Sequence, residues 1–106
     1  MIGYLKLDVD SDGVWSALDD ALQSGALTNH VQQLGLLVHV TSGRQQRRQA
    51  TRQWNVLADL ERAGFRRWLS LRVSSASAAD AGLRRHDLQQ RTDVYQLVYV
   101  NIRFLA

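Results

Sequence analysis

Asp8, Asp10 and Asp12 alternate in the stretch DVDSDG, and Gly13 follows them. Extended to DVDSDGVWSALD, the stretch spells much of a calcium loop. The three aspartates hold positions 1, 3 and 5, Gly13 is the turn glycine, the Val14 carbonyl and Ser16 follow, and Asp19 closes the frame. Hard oxygen ligands at alternate positions around a tight glycine turn can wrap a Ca²⁺ ion. Asp19 is one methylene shorter than the usual bidentate glutamate, and the segment before the loop reads as a strand rather than a helix. A plainer reading uses the same residues. Asp8 and Asp10 end an edge strand, Asp12 caps a helix, and the acids sit at the positive end of that helix.

Other chemistry is sparse. His30, His39 and His86 have no metal-ligand spacing relative to one another. No G-x-S-x-G, P-loop or H-E-x-x-H pattern is present. With no cysteine there is neither a disulfide nor a thiolate. These residues assign no catalytic group and call for no cofactor, so the chain reads as a non-enzyme.

Cationic character is almost entirely arginine, twelve arginines to the single Lys6. Arg44, Arg48 and Arg52 recur at i, i+4 and i+8 and share one face of a helix. Their guanidinium groups are of the kind that contact phosphates, although a solvated helix face would look the same. The net charge of +3 conceals a split. Residues 1–43 carry one lysine against five aspartates, a net −4, whereas residues 44–92 carry eleven arginines against four acids, a net +7. Such a split suits nucleic-acid binding and suits head-to-tail self-association equally.

The elements that must position these groups are legible in outline. A chain of 106 residues with 45% apolar composition forms one globular domain with a modest core. Residues 2–9 alternate as a strand, and a helix over about 13–24 carries Val14, Trp15, Leu18, Ala21 and Leu22 as its apolar stripe and ends at Gly25. ALTNHVQQL is either a second helical turn or a loop. LGLLVHVTSG is a strand stopped by Ser42-Gly43. Residues 44–63 form the clearest helix, with Ala50, Trp54, Val56, Leu57 and Leu60 on one broad arc, and Gly64 closes it. RRWLSLRVSS is a strand, residues 76–92 a polar loop, and VYQLVYVNIRFLA the last strand. The order predicts an α+β two-layer sandwich of about four mainly antiparallel strands, with two helices on one face.

That layout predicts what each face holds. The helices bury Leu5, Leu7, Val38, Val40, Leu69, Leu71, Val98, Val100 and Ile102. The opposite face carries Tyr4, Lys6, His39, Trp68, Arg72, Tyr95, Tyr99 and Arg103. Aromatic rings beside arginines stack single-stranded bases in RNA-binding sheets, and the same residue types anchor protein interfaces. Trp68, Arg72, Tyr95, Tyr99 and Arg103 are therefore the candidate contact residues for a protein partner. Arg44, Arg48 and Arg52 are the candidates for nucleic acid.

Residues 36–106 resemble the small tail-terminator and tail-completion proteins of long-tailed phages. The likeness lies in the succession of the strand LLVHVTSG, the arginine- and alanine-rich helix RQQRRQATRQWNVLADLERAG, the strand FRRWLSLRVSSASA, a polar loop and the closing strand DVYQLVYVNIRFLA. It covers about two-thirds of the chain and rests on layout, since no invariant motif defines these proteins. The family usually begins with a helix before its first strand, whereas this chain begins on a strand and places GVWSALDDAL after it. The resemblance implies an α+β subunit that forms a ring at the end of a tail tube and catalyses nothing. Ring subunits need two different complementary surfaces, because head-to-tail contacts are heterologous.

The sequence thus points to a non-enzymatic assembly protein of phage or prophage type, acting as a homo-oligomer. The alternatives are a small nucleic-acid-binding module and an inhibitor or immunity-type protein that docks one partner. No apolar run approaches a membrane span and the N-terminus does not read as a signal peptide. The expected location is the cytoplasm of a producing bacterial cell, or the virion for a tail protein, with no membrane partner.

Overall fold

The computed structural model describes residues 1–42, 47–76 and 91–105. The chain runs β1 (Ile2–Val9), α1 (Asp12–Gln23), α2 (Ala26–His30), β2 (Val31–Ser42), α3 (Arg47–Arg62), β3 (Phe65–Ala76) and β4 (Arg91–Asn101), and closes with a 3-10 turn (Ile102–Phe104). The fold is α+β. One four-stranded sheet has the order β1-β2-β4-β3, with β1 parallel to β2 and the other two pairings antiparallel.

Local sequence accounts for the element ends. Ser11, not Asp12, is the N-cap of α1. Its backbone is extended and its hydroxyl accepts from the Val14 N–H at 3.4 Å, while Asp12 stands inside the first turn. Gly25 takes φ 84° between α1 and α2, and Gly64 takes φ 111° after α3, where a side chain would be strained. ALTNHVQQL is helical over Ala26–His30, but from Val31 it is already β2, a strand where the sequence predicts a helical turn or a loop.

Three aligned rows across the sheet make its inner floor. They run Leu5–Leu34–Tyr99–Arg67, Leu7–Leu36–Leu97–Ser70 and Val9–Val38–Tyr95–Arg72. Trp15, Leu18 and Leu22 of α1 and Val56 and Leu60 of α3 pack on this floor, with Leu27 and Phe65 completing the core. Interleaved rows face the other way: Tyr4–Gln33–Val100–Arg66, Lys6–Gly35–Val98–Leu69 and Asp8–Leu37–Gln96–Leu71.

The last two strands therefore reverse part of the expected face assignment. In β4 it is Tyr95, Leu97 and Tyr99 that face the helices, and Val98 and Val100 that turn away. Both faces of β4 are apolar, so its alternation has no inherent direction. The partner β2, with Leu34, Leu36 and Val38 opposed to Gln33 and Gly35, decides it. The choice also buries the Tyr99 ring and half-buries that of Tyr95 in place of two valines, removing more apolar area from water. In β3 a bulge at Trp68 shifts the register by one residue. Phe65 and Arg67 lie on the helix side before it, but beyond it Leu69 and Leu71 turn outward. Val40 is exposed rather than buried, and so is Ile102 in the 3-10 turn.

Trp54 is a further departure. At about 100° per residue it lies roughly 160° from Val56. The buried stripe of α3 follows Val56 and Leu60, which leaves Trp54 68% exposed.

Candidate interaction surfaces

The four aspartates of the calcium-loop spelling do not converge. Asp8 belongs to β1, and its carboxylate lies 2.7 Å from Nε2 of His39 on the open face. Asp10 follows the strand, Asp12 opens α1, and Asp19 lies within α1, where its carboxylate accepts from the Gln23 amide at 3.3 Å. A loop that wraps an ion must stay irregular over its length, whereas residues 12–23 are helical and the Val14 carbonyl lies within the helix ladder. Among the described residues no group of three or more His, Asp or Glu is placed to hold a metal.

The five candidate contact residues do not form one surface. Trp68 is 79% exposed at the bulge of β3. Arg72 is exposed, in register with Tyr95 on the helix side of the sheet. Tyr95 is half-buried against the core. Tyr99 is 1% exposed, a core residue that no partner can reach. Burial raises the Tyr99 pKa, the nearby Arg67 guanidinium opposes that rise, and Glu61 reinforces it. Arg103 is exposed in the 3-10 turn and donates to the Asn29 side chain. Trp68, Tyr95 and Tyr99 thus make no common stacking platform.

Of the nucleic-acid candidates, Arg44 lies outside the described residues and Arg48 lies in α3. Arg52 is exposed and donates to the Ser16 hydroxyl, linking α3 to α1. His86 and most of the polar loop also lie outside the described residues.

The apolar residues that solvent does reach show a different pattern. Within the described sheet, the exposed large hydrophobics fall almost entirely on its two edge strands. Ile2 and Tyr4 (47%) lie on β1, and Trp68, Leu69, Leu71 (52%) and Val73 on β3; on the inner pair only Val40 is exposed. Tyr4 has a specific seat: its phenol ring lies across the open face over Gly35, where any added Cβ would collide with it. A glycine in the second strand thus lets the edge strand's aromatic ring lie flat.

Charge follows the same division. α1 packs on β1, and α3 packs on β3, so the helix layer repeats the polarity of the sheet layer. β1, α1 and the turn between them carry Lys6 against five aspartates, whereas α3 and β3 carry seven arginines against Asp59 and Glu61. The strand order sets these two sets at opposite edges.

Between α3 and the sheet lies a cleft of about 350 Å³, floored by Val38 and Leu97 and flanked by Trp54 and Leu57. Arg67, Ser70 and Tyr95 supply its polar groups. Neither a histidine nor a carboxylate is among its described lining, so no described lining residue could serve as a general base for Ser70. No described helix is long and apolar enough to cross a membrane. No protein-family model, curated protein or solved structure matches the chain.

Proposed function

We propose that this protein is a non-enzymatic assembly protein that works as a homo-oligomer, of the type implied by the resemblance of residues 36–106 to phage tail-terminator and tail-completion proteins. The observation that carries this reading is the concentration of exposed apolar side chains on both edge strands, with Leu71 52% and Tyr4 47% exposed. Contiguous exposed apolar surface marks contact sites. Two such surfaces on opposite edges are what a subunit needs to touch a neighbour on each side. The aromatic sheet platform that would favour nucleic acid is not supported, because Tyr99 is a core residue.

Light scattering over a wide concentration range tests the reading. The expected result is a defined oligomer whose share grows with concentration. A strict monomer throughout overturns it.

A further inference from the structure

We infer that copies of this chain join head to tail, the acidic β1–α1 edge of one copy docking on the basic α3–β3 edge of the next. The inference rests on the assembly reading above and specifies which surfaces meet. Three observations carry it.

The first is charge. One edge has a net −4 from Lys6 and five aspartates, and the other a net +5 from seven arginines and two acids, or +4 without Arg52, which reaches back to Ser16 of α1. Asp10, Asp12 and Asp20 are exposed on the first, and Arg66, Arg67 and Arg72 on the second. At about 4.8 Å per strand, β1 and β3 lie roughly 14 Å apart within one molecule. That exceeds the Debye length of about 8 Å at physiological salt, so the two edges of one copy barely feel each other. Their strong attraction is to the opposite edge of another copy. Like edges repel, which disfavours the two-fold arrangement in which each edge meets itself.

The second is direction. β1 is parallel to β2, and two antiparallel steps separate β2 from β3, so β1 and β3 run the same way. A neighbour can therefore approach edge to edge without being turned over.

The third is level. The aligned row that begins at Val9 ends at Arg72, so the acids after Val9 lie level with the arginine of the opposite edge. Lys6 shares its row with Leu69 and Tyr4 with Arg66, so a level junction sets no like charges opposite one another. The bulges at Trp68 and Val73 interrupt the β3 ladder, so the junction is made through side chains rather than by a long added strand.

Charge reversal tests this. One variant carries Arg67→Glu with Arg72→Glu, which takes the α3–β3 edge from +5 to +1 and sets acids where two of its arginines stood. The other carries Asp10→Arg with Asp20→Arg, which takes the β1–α1 edge from −4 to 0 and sets arginines where two of its acids stood. Each alone should lose assembly in light scattering, by roughly tenfold or more in concentration, since several ion pairs turn repulsive together. An equimolar mixture should regain it, which also shows that both variants fold. If the wild type assembles but either variant alone assembles equally well, or the mixture stays monomeric, the edge junction is wrong while the assembly reading stands. If the wild type is itself a monomer, the assembly reading fails and takes the junction with it.

Discussion

Asn101 offers the sharpest test of how the sheet is anchored. It is 1% exposed, and every polar group of its side chain is used. The amide nitrogen donates to the Thr28 and Val31 carbonyls, both at 2.9 Å, and Oδ1 accepts from the Arg103 N–H at 3.1 Å. Thr28 belongs to the five-residue α2, whose carbonyls mostly lack intrahelical partners, so the end of β4 satisfies the α2–β2 junction. Asn101→Ala removes three hydrogen bonds worth about 1 kcal/mol each and strands buried carbonyls, an expected cost of about 2–4 kcal/mol. At an m-value of about 2 kcal/mol/M, the urea midpoint should fall by about 1–2 M. Asn101→Asp is nearly the same shape but turns a donor into an acceptor. Its carboxylate would face two carbonyl oxygens in a desolvated site, so at neutral pH it should cost more than alanine. Both effects raise the folded-state pKa of the new carboxyl above the unfolded value of about 3.9. The penalty is then full at neutral pH and shrinks as pH falls through the folded pKa, because the protonated acid can again donate to one carbonyl. The assay is urea unfolding of both variants at pH 7 and near pH 4. If Asn101→Asp is as stable as Asn101→Ala at pH 7, or its deficit ignores pH, the assigned donor pattern is wrong.

Two further outcomes follow from the same geometry. Burial raises the Tyr99 pKa above its ordinary 10.0. The folded state therefore keeps a proton that the unfolded chain releases, and stability is lost as pH rises through 10 and beyond. Comparing unfolding midpoints from pH 8 to 11, Tyr99→Phe should show a shallower alkaline loss than the wild type, and equal slopes would refute the assignment. Millimolar Ca²⁺ should leave the melting temperature unchanged. A specific site at 100 times its dissociation constant would add about 2.7 kcal/mol, a shift of several degrees that differential scanning calorimetry would register.

The sequence was most readable where one face of an element is apolar and the other is not. The stripe Trp15, Leu18, Leu22 placed α1, and Leu34, Leu36 and Val38 oriented β2, because water rejects one side of each. Gly25 and Gly64 marked real ends through their backbone angles. What failed shares a cause. β4 is apolar on both faces, so pairing with β2 had to choose between Tyr95, Leu97 and Tyr99 and the neighbouring valines. β3 carries a bulge at Trp68 that no periodicity announces, and one extra residue exchanges the faces of everything after it. The interface set of Trp68, Arg72, Tyr95, Tyr99 and Arg103 inherited both errors, which is why it mixes exposed and core residues. Asn101 carried no composition signal: a buried asparagine looks like any turn residue until its partners, some 70 positions away, are in place.

The edges can be argued one step further. Exposed edge strands invite indiscriminate pairing, and proteins blunt them with short strands, charges and bulges. Both edges here are treated in this way. Charge and irregularity do it rather than shortness: β1 carries Lys6 and Asp8, and β3 carries three arginines and two bulges. Yet the same strands keep their large apolar side chains in water, which a purely protective design would remove. Protection and exposure are reconciled if the blunting selects a partner instead of excluding all of them. Bulges bar ladder extension by arbitrary strands, like charges bar an edge from its own copy, and the apolar residues reward the one approach that remains, acid edge to arginine edge. The strand order is what makes this available. By inserting β4 between β2 and β3, the fold separates an acidic N-terminal third from a basic middle that the chain itself holds close in sequence.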